Sequence, residues 1–440
     1  MAILSQVIFT IVLVAAGGLF YSQVRKIRQN ILLGRTVSFS GSTKERWLTL
    51  FKVAVGQGKM TKKPIAGFLH ILVYVGFVLI NIEVIEILVD GIFGTHRFLS
   101  FLGGFYDFII ASFEILALGV LLACVVFLIR RNVLKIKRFF GAEMTKWPTS
   151  DANIILVVEI LLMAAFLTMN AADLLLQERG VTHYSTAGSF PISNLFVPLI
   201  QDFSSEGLIA LERFCWWFHI VGILAFLNYL PISKHFHIIL AFPNVYYSKL
   251  EAKGDLGNMS AVTEQVKLMM DPNADPYAAA PAGTEVPAAF GAKDVKDLPW
   301  TSIMHGYTCT ECGRCSDACP ANTTGKKLSP RKIMMDVRDR AEELGALVRS
   351  QGAEATDNKS LLNDYITAEE VWACTTCNAC TEACPVNNDP LAVIVELRRY
   401  LVMEQSAAPQ ELNLMFSNVE NNGAPWQFSM ADRMNWAQED

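Results

Sequence analysis

The sequence carries little charge for its length. Only 18% of its 440 residues are charged and 52% are hydrophobic, whereas about a quarter of a soluble domain is charged. It has no basic patch with interleaved aromatic residues and a net charge of -5, which argues against nucleic acid as a partner. It also has no glycine-rich nucleotide fingerprint between a strand and a helix, so no bound flavin or nicotinamide is expected. The composition predicts a membrane part.

Five apolar segments are long enough to cross a bilayer as helices. They run over about Ile3–Tyr21, Ile65–Val89, Phe108–Ile129, Asn153–Leu176 and Leu208–Leu230. The first segment lacks a preceding basic region and a clear small-residue cleavage site, so we expect it to remain as an anchor rather than to be removed as a signal peptide.

Positive charge is concentrated in two of the loops that join these segments. The loops carrying Arg97 and Arg179 are nearly free of it. Since cytoplasmic loops are the basic ones, we expect a multi-pass protein of the inner (cytoplasmic) membrane, with its N-terminus outside and its C-terminal third in the cytoplasm. The basic residues are Arg25, Lys26, Arg28, Arg35, Lys44, Arg46, Lys52, Lys59, Lys62 and Lys63 after the first segment, and Arg130, Arg131, Lys135, Lys137 and Arg138 after the third.

Eight of the ten cysteines fall in two runs of identical spacing, C-x2-C-x2-C-x3-C-P. The first run is Cys309, Cys312, Cys315 and Cys319, and the second is Cys374, Cys377, Cys380 and Cys384. The other two, Cys124 and Cys215, lie inside apolar segments. This pattern indicates metal binding in a reducing compartment rather than disulfide bonds.

Runs of this kind bind [4Fe-4S] clusters, whereas zinc ribbons usually pair two C-x-x-C knuckles. Three closely spaced thiolates wrap one iron-sulfur cube, and the fourth points away and ligates the other cluster. We therefore expect two clusters with crosswise ligation. The predicted ligands are Cys309, Cys312, Cys315 and Cys384 for the first cluster, and Cys319, Cys374, Cys377 and Cys380 for the second.

Three histidines lie in or at the end of the apolar segments. His70 is in the first turns of the second segment and His237 is at the end of the fifth, both near the cytoplasmic side. On one continuous helix, His219 and His237 would share a face at a separation of about 27 Å. Two imidazoles from facing helices at matching depth suit a six-coordinate haem, so His70 and His237 are the predicted axial ligands of a haem b. The alternative is a haem-free anchor in which both are hydrogen-bonded packing residues.

The residues around these histidines resemble the nitrate reductase gamma subunit, a five-helix dihaem cytochrome b. The resemblance lies in Phe68-Leu-His70-Ile and in His219 followed by Pro231 and His237. In that family a second histidine, about three turns further along helix 2, binds an outer haem together with the residue that His219 resembles. Here that position is near Ile80 and holds no histidine. His219 is therefore left with three alternatives, which are a haem with another ligand, a quinone site or packing.

Carboxylates inside apolar segments are costly unless they are functional or face an interior cavity. Glu83 and Glu86 lie toward the outer end of the second segment, and Glu212 lies toward the outer end of the fifth, near His219. Because a quinol site needs a proton acceptor, these four residues are the candidates for an outer quinone pocket or a second haem site. The alternative for each glutamate is snorkelling or a hydrogen bond between helices.

Taken whole, the chain resembles the membrane-bound iron-sulfur oxidoreductases related to heterodisulfide reductase. The matching motifs include Tyr307-Thr-Cys309, Leu328-Ser-Pro and Val371-Trp-Ala-Cys374. The resemblance implies an all-α protein in which a five-helix transmembrane cytochrome b bundle precedes a cytoplasmic α-helical dicluster ferredoxin domain. The expected divisions are the haem b domain at 1–248, an Ala/Pro-rich connector at 249–299, the ferredoxin domain at 300–405 and a tail at 406–440 that docks a partner.

The Cys-Cys-Gly motifs that perform disulfide chemistry in that family do not occur in this sequence. We therefore expect an electron-transfer subunit with no catalytic residue of its own. It would pass electrons between the membrane quinone or menaquinone pool, haem b and the clusters, in a direction that stays open. The expected cytoplasmic partner is a Cys-Cys-Gly iron-sulfur subunit or an electron-transfer flavoprotein. The alternative is a redox-sensing membrane iron-sulfur protein without net turnover.

Overall fold

The computed structural model describes residues 2–252, 254–273, 290–427 and 429–438. Within those ranges the secondary structure is helical, and the only extended pairings are two isolated β-bridges. The prediction of an all-α protein with five candidate membrane helices is confirmed. The five spans are Ile3–Ile31, Pro64–Phe93, Gly104–Val133, Lys146–Glu178 and Ser205–Ile232.

The α-helices fall into two groups along the chain. Those described before residue 253 are α1 (Ala2–Ile31), α2 (Thr43–Leu50), α3 (Pro64–Phe93), α4 (Gly104–Leu128), α5 (Lys146–Glu178), α6 (Val197–Ile200), α7 (Ser205–Tyr229) and α8 (His237–Tyr246). Those described after it are α9 (Ser260–Met270), α10 (Trp300–Thr308), α11 (Arg314–Ala318), α12 (Pro320–Thr323), α13 (Pro330–Gln351), α14 (Ala368–Trp372), α15 (Ala379–Ala383), α16 (Pro390–Met403) and α17 (Gln410–Asn422).

The long helices of the first group pack as a bundle around α5. α5 lies against α4 and α7, and α4 lies against α3. Their contacts bury Ala117, Phe166 and Ile220. α1 packs across α3 and α7, where the ring of Phe9 lies on Gly91, and a Cβ at that glycine would come within 2.5 Å of the ring. Small residues at such crossings allow membrane helices to approach closely.

The fifth membrane segment does not continue as one helix to His237, so the prediction that His219 and His237 share a helical face is wrong. α7 ends at Tyr229, and a short 3₁₀ turn over Leu230–Ile232 follows. Pro231 has no backbone N–H to donate to a helix, and Ser233 has an extended backbone (φ -120°, ψ 160°). The chain turns here, and His237 begins a separate helix, α8.

The first helix is also longer than its apolar stretch. α1 ends at Ile31 rather than near Tyr21, because the basic residues after the apolar stretch are themselves good helix formers. Its last turns bury Ile27 and Ile31 in a core shared with residues of the C-terminal half, among them Ile303 and Val337. One end of the bundle is therefore joined to the C-terminal half by a continuous apolar core.

The C-terminal half is built around the long helix α13, which packs against α10 and α16. The short helices α11 and α15 contact one another and occupy equivalent places in the two cysteine runs. Each follows a residue with a left-handed backbone, Gly313 before α11 and Asn378 before α15. The repeated sequence thus produces a repeated local structure.

The predicted connector at 249–299 is wrong at its C-terminal end. Ala292, Val295 and Leu298 are fully buried in the core of the C-terminal half, and Asp294 pairs with the buried Arg340. The packed domain therefore begins near residue 290. The composition of this stretch does not reveal that its apolar side chains pack into the domain core. α9 is an additional helix inside the predicted connector, and the prolines at 276, 281 and 287 lie outside the described residues.

Arg340 joins this early segment to the rest of the domain. Its guanidinium is 1% exposed and pairs with Asp294 at 2.7 Å and with Asp357 at 2.6 Å. We predict that Arg340→Met lowers the unfolding free energy of the domain by about 3–5 kcal/mol, because it leaves two partly buried carboxylates without their cation. Lys327→Met, which removes an exposed pair with Glu369, should cost less than about 1 kcal/mol.

Thermal unfolding of the purified variants, followed by near-UV absorbance and limited proteolysis, measures this difference. Equal midpoints for Arg340→Met and Lys327→Met would show that the Arg340 pairs do not stabilise the domain.

Candidate redox sites and an outer cavity

The first three cysteines of the first run lie beside tight turns of the chain. Cys309 directly follows α10, and Glu311 after it has a left-handed backbone (φ 52°). Gly313 (φ 72°) turns the chain again before α11. A Cβ at Gly313 would lie 2.6 Å from the carbonyl oxygen of Arg138, so a glycine is needed for this close approach.

The first candidate redox site combines both runs. Cys309, Cys312 and Cys315 line one cavity, and the fourth cysteine lining it is Cys384 from the second run. The Cys384 sulfur accepts a hydrogen bond from the backbone N–H of Asn388 at 3.2 Å. The fold thus brings together, at one cavity, the four cysteines that the spacing names for the first cluster.

The second candidate redox site also draws on both runs. Burial raises the pKa of the Cys374 thiol, and the nearby thiols of Cys319 and Cys377 raise it further. Burial likewise raises the pKa of Cys380 to about 12, with Asp389 and Cys374 adding to the effect. Cys377 is exposed, so this site lies at the surface of the domain.

The donor sets fit iron-sulfur clusters. Burial raises the pKa of the Cys309 thiol to about 12, with Glu311, Cys312 and Cys384 adding to it. Binding to a metal centre removes the protons from such thiols, and each site offers the four cysteines that one [4Fe-4S] cluster takes. Among the described residues no three His, Cys, Asp or Glu side chains converge on the position of a single metal ion.

His70 and His237 face one another at the end of the bundle nearest the cysteines. Their ring centroids are 6.4 Å apart and their planes differ by 40°. A bond from a metal to an imidazole nitrogen is about 2 Å long, so two imidazoles on opposite sides of one iron have centroids roughly 6 Å apart. His237 Nδ1 donates to the carbonyl of Lys234 at 3.0 Å, which leaves Nε2 available. The buried Nδ1 of His70 has no hydrogen-bond partner in the described chain.

A cavity of about 290 Å³ lies at the opposite end of the bundle. Glu83, Glu86 and Glu212, the three glutamates singled out from the sequence, all line it. Glu86 accepts hydrogen bonds from the N–H of Leu99 and the hydroxyl of Tyr106, at 2.8 and 2.9 Å. Glu83 is 4% exposed, and its Oε2 has no hydrogen-bond partner within the described ranges. A buried carboxylate oxygen without a partner is a candidate proton acceptor.

Several polar residues of the cavity were not anticipated from the sequence. Arg97 is buried, pairs with Asp173 at 2.5 Å and donates to Asn170 at 2.9 Å. The rings of His96 and His183 have centroids 5.4 Å apart. His96 is mostly buried while His183 is exposed, so the two lie between the cavity and the protein surface. His96 and His183 lie in separate loops and belong to no sequence motif. The one signal that could have indicated them is the group of polar residues in the loops that are predicted to face outward.

His219 does not line the cavity. It is buried, its Nδ1 donates to the carbonyl of Leu162 at 3.0 Å, and its ring lies 5.9 Å from that of Phe166. It is seven residues from Glu212 on α7, about 10 Å along the helix axis. The structure thus brings the three glutamates together and leaves His219 deeper in the bundle.

Comparison with known proteins agrees with the cysteine geometry. The family model for the 4Fe-4S dicluster domain matches residues 308–388. This chain contains a 4Fe-4S dicluster domain. No solved structure matches the chain.

Relatives of the dicluster protein extend the comparison to the membrane half. The chain is 29% identical to the "Probable iron-sulfur-binding oxidoreductase FadF" of Bacillus subtilis, over 99% of this chain and 61% of that protein. It is 27% identical to the "EtfAB:quinone oxidoreductase" of Syntrophomonas wolfei, over 98% of this chain and 59% of that protein. The chain thus spans less than two thirds of the length of these two relatives.

A shorter part of the chain is similar to one component of a heterodisulfide reductase. It is 32% identical to a subunit of the ferredoxin/F(420)H(2)-dependent CoB-CoM heterodisulfide reductase of Methanosarcina acetivorans, over 23% of this chain and 50% of that protein. The predicted relationship to iron-sulfur oxidoreductases of the heterodisulfide reductase group is confirmed. The relatives and the apolar helices together indicate a membrane-anchored iron-sulfur electron-transfer protein.

Proposed function

We propose that this chain carries electrons between a quinone bound in the outer cavity and a soluble partner at the dicluster domain, through one haem b and two [4Fe-4S] clusters. The observation that carries the proposal is the pair of facing imidazoles, His70 and His237, at the end of the bundle nearest the first cysteine site. A haem b and a [4Fe-4S] cluster each take up and release one electron at a time. Residues of this chain would hold the quinone, the haem and the two clusters in that spatial order.

The proposed ligands follow from the grouping of side chains. The first cluster is held by Cys309, Cys312, Cys315 and Cys384, the second by Cys319, Cys374, Cys377 and Cys380, and the haem by His70 and His237. For the haem, the 6.4 Å separation of the rings and the hydrogen bond that orients His237 support the assignment, since metal-bound histidines usually donate their other ring N–H to a fixed acceptor.

The ring of His219 is oriented in the same way as that of His237, but no histidine of the described residues faces it. Its Nδ1 donates to a backbone carbonyl, as that of His237 does. Ile80, at the level where a second ligand would be expected, is buried in the apolar core. We propose one haem b, and a second haem or a quinone contact at His219 stays a prediction.

The outer cavity suits a quinone because it combines an apolar wall with proton acceptors. Trp216 and Met169 contribute the wall, and Glu83, Glu86 and Glu212 contribute the carboxylates. Oxidation of a quinol breaks two O–H bonds and releases two protons and two electrons. The protons pass to cavity side chains and leave by the outer surface, and the electrons pass one at a time into the protein. Reduction of a quinone is the same reaction in reverse.

Orientation in the inner membrane follows from where the basic loops lie. The loops after α1 and α4 are at the end that carries the dicluster domain, where Arg314 donates to the carbonyl of Lys59 and Arg331 pairs with Glu143. Basic loops are cytoplasmic. We therefore propose that the dicluster domain is in the cytoplasm and that the outer cavity and the N-terminus are on the outer side.

The soluble partner is proposed to be an electron-transfer flavoprotein or a Cys-Cys-Gly iron-sulfur subunit. The similarity to the EtfAB:quinone oxidoreductase of Syntrophomonas wolfei favours the flavoprotein. Cys377 is exposed, so the second cluster would lie near the surface that a partner approaches. The tail adds exposed apolar residues, Leu414, Phe416 and Trp426, on the same half of the protein.

We predict that a single change in one cysteine run removes the cluster built mainly from the other run. Cys384→Ser should abolish the paramagnetic signal of the first cluster and Cys319→Ser that of the second, because each serine replaces one of four thiolate ligands. Cys124→Ser and Cys215→Ser serve as controls and should keep the full iron content. Loss of the second cluster's signal in Cys384→Ser, with the first signal intact, would contradict crosswise ligation.

We predict that His70→Ala and His237→Ala each remove the b-type haem, since either change leaves the iron with one axial ligand. The loss is measured as pyridine haemochrome absorbance, normalised to the protein and iron contents of the sample. His235→Gln is the matched control, because His235 lies 5.6 Å from His237 but is not a proposed ligand. A full haem complement in His70→Ala would refute the assignment.

We predict that Glu83→Gln slows quinol-dependent reduction of the clusters by roughly 100-fold, because it removes a buried proton acceptor without changing the size of the side chain. Glu159→Gln is the control, since Glu159 is a carboxylate of the membrane bundle outside the cavity lining. Stopped-flow absorbance with a soluble quinol analogue measures both. Equal rates in the two variants would mean that Glu83 does not accept the proton.

A further inference from the structure

Lys234 lies between the two candidate sites and contacts both of them. Its carbonyl accepts the hydrogen bond from His237 Nδ1 at 3.0 Å. Its side chain is 10% exposed and forms an ion pair with Glu311, one of the two residues between Cys309 and Cys312. One residue therefore contacts a proposed haem ligand through its backbone and the first cysteine turn through its side chain.

Glu311 is held in this position from two sides. Its side chain is 3% exposed, and its Oε1 pairs with Arg338 at 2.8 Å while its Oε2 pairs with Lys234. Removing one partner from a buried pair leaves an uncompensated charge, which is costly. The Lys234–Glu311 pair therefore differs from an exposed ion pair, and it constrains the turn that carries Cys309 and Cys312.

The segment around Lys234 is itself anchored to the membrane bundle. The Lys234 N–H donates to Asp151 Oδ2 at 3.1 Å, and its Nζ donates to the carbonyl of Pro148 at 2.6 Å. The other oxygen of Asp151 accepts from the Tyr229 hydroxyl at 2.5 Å. The chain between α7 and α8 is thus fixed against α5 at the point where it presents His237.

We propose that Lys234 is a positioning residue that fixes the distance between the His237 imidazole and the turn of the first cluster, and that its charge balances Glu311 beside that cluster. This role rests on the proposed function, because it requires a haem on His237. The step it serves is the transfer of one electron between the two centres, in which no bond is made or broken. A looser segment would lengthen the separation, and an unbalanced Glu311 carboxylate would disfavour the reduced cluster.

The test compares Lys234→Met, Lys234→Arg and Lys326→Met in the full-length protein in lipid nanodiscs. Lys326 is an exposed lysine of the dicluster domain. After haem and iron contents are checked, a redox titration gives the midpoint potential of the first cluster, and single-turnover absorbance gives the haem-to-cluster rate. We expect Lys234→Met to lower the potential and to slow the transfer by roughly tenfold or more, Lys234→Arg to restore most of both, and Lys326→Met to match the wild type.

A second variant covers the case in which Lys234→Met does not assemble. Glu311→Gln removes the same ion pair but keeps the hydrogen bond from Lys234 Nζ to the carbonyl of Pro148, so it should change the cluster potential with a smaller effect on the rate. Wild-type potential and rate in Lys234→Met, or in Glu311→Gln if the first variant fails to fold, would overturn the role of Lys234 alone. A wild-type protein without b-type haem would overturn the proposed function and this role with it.

Discussion

The turn between α7 and α8 is the constraint on which the arrangement of both candidate redox sites depends. Pro231 cannot donate the next helical hydrogen bond, and the extended Ser233 redirects the chain. As a result His237 faces His70 instead of continuing the face that bears His219. The same turn places Lys234 against the first cysteine site. A continuous helix would separate these groups, so one local break joins the membrane bundle to the dicluster domain.

The other candidate sites lie on either side of this turn. The exchange of Cys384 into the first cysteine site places the two sites side by side, where Cys315 interacts with the thiol of Cys380 as well as with those of its own site. Cys377 brings the second site to the surface. At the far end of the bundle, buried Arg97 holds together the polar wall of the cavity that contains Glu83. The candidate sites thus lie in order from the cavity, past the two facing histidines, to the exposed second cysteine site. This order favours electron conduction over redox sensing.

The parts predictable from sequence were those encoded by local spacing. Two identical cysteine runs predict their own crosswise grouping, and apolar length predicts the membrane helices. The helix break was missed because the spacing of His219 and His237 suits one continuous helix, although Pro231 lies between them. The early start of the packed domain was missed because Val295 and Leu298 lie in a stretch of ordinary loop composition. The pair His96 and His183 comes from distant loops, so only tertiary structure brings them together.

The central claim is that electrons pass between a quinone and the iron-sulfur clusters through a haem held by His70 and His237. The most direct measurement is rapid-freeze paramagnetic resonance of the purified protein, reconstituted with its soluble partner and mixed with a reduced quinol analogue. The proposal predicts that both clusters become reduced in the wild type and that neither does in His70→Ala at full iron content. Clusters that stay oxidised in the wild type, or that become reduced equally fast in His70→Ala, would contradict it.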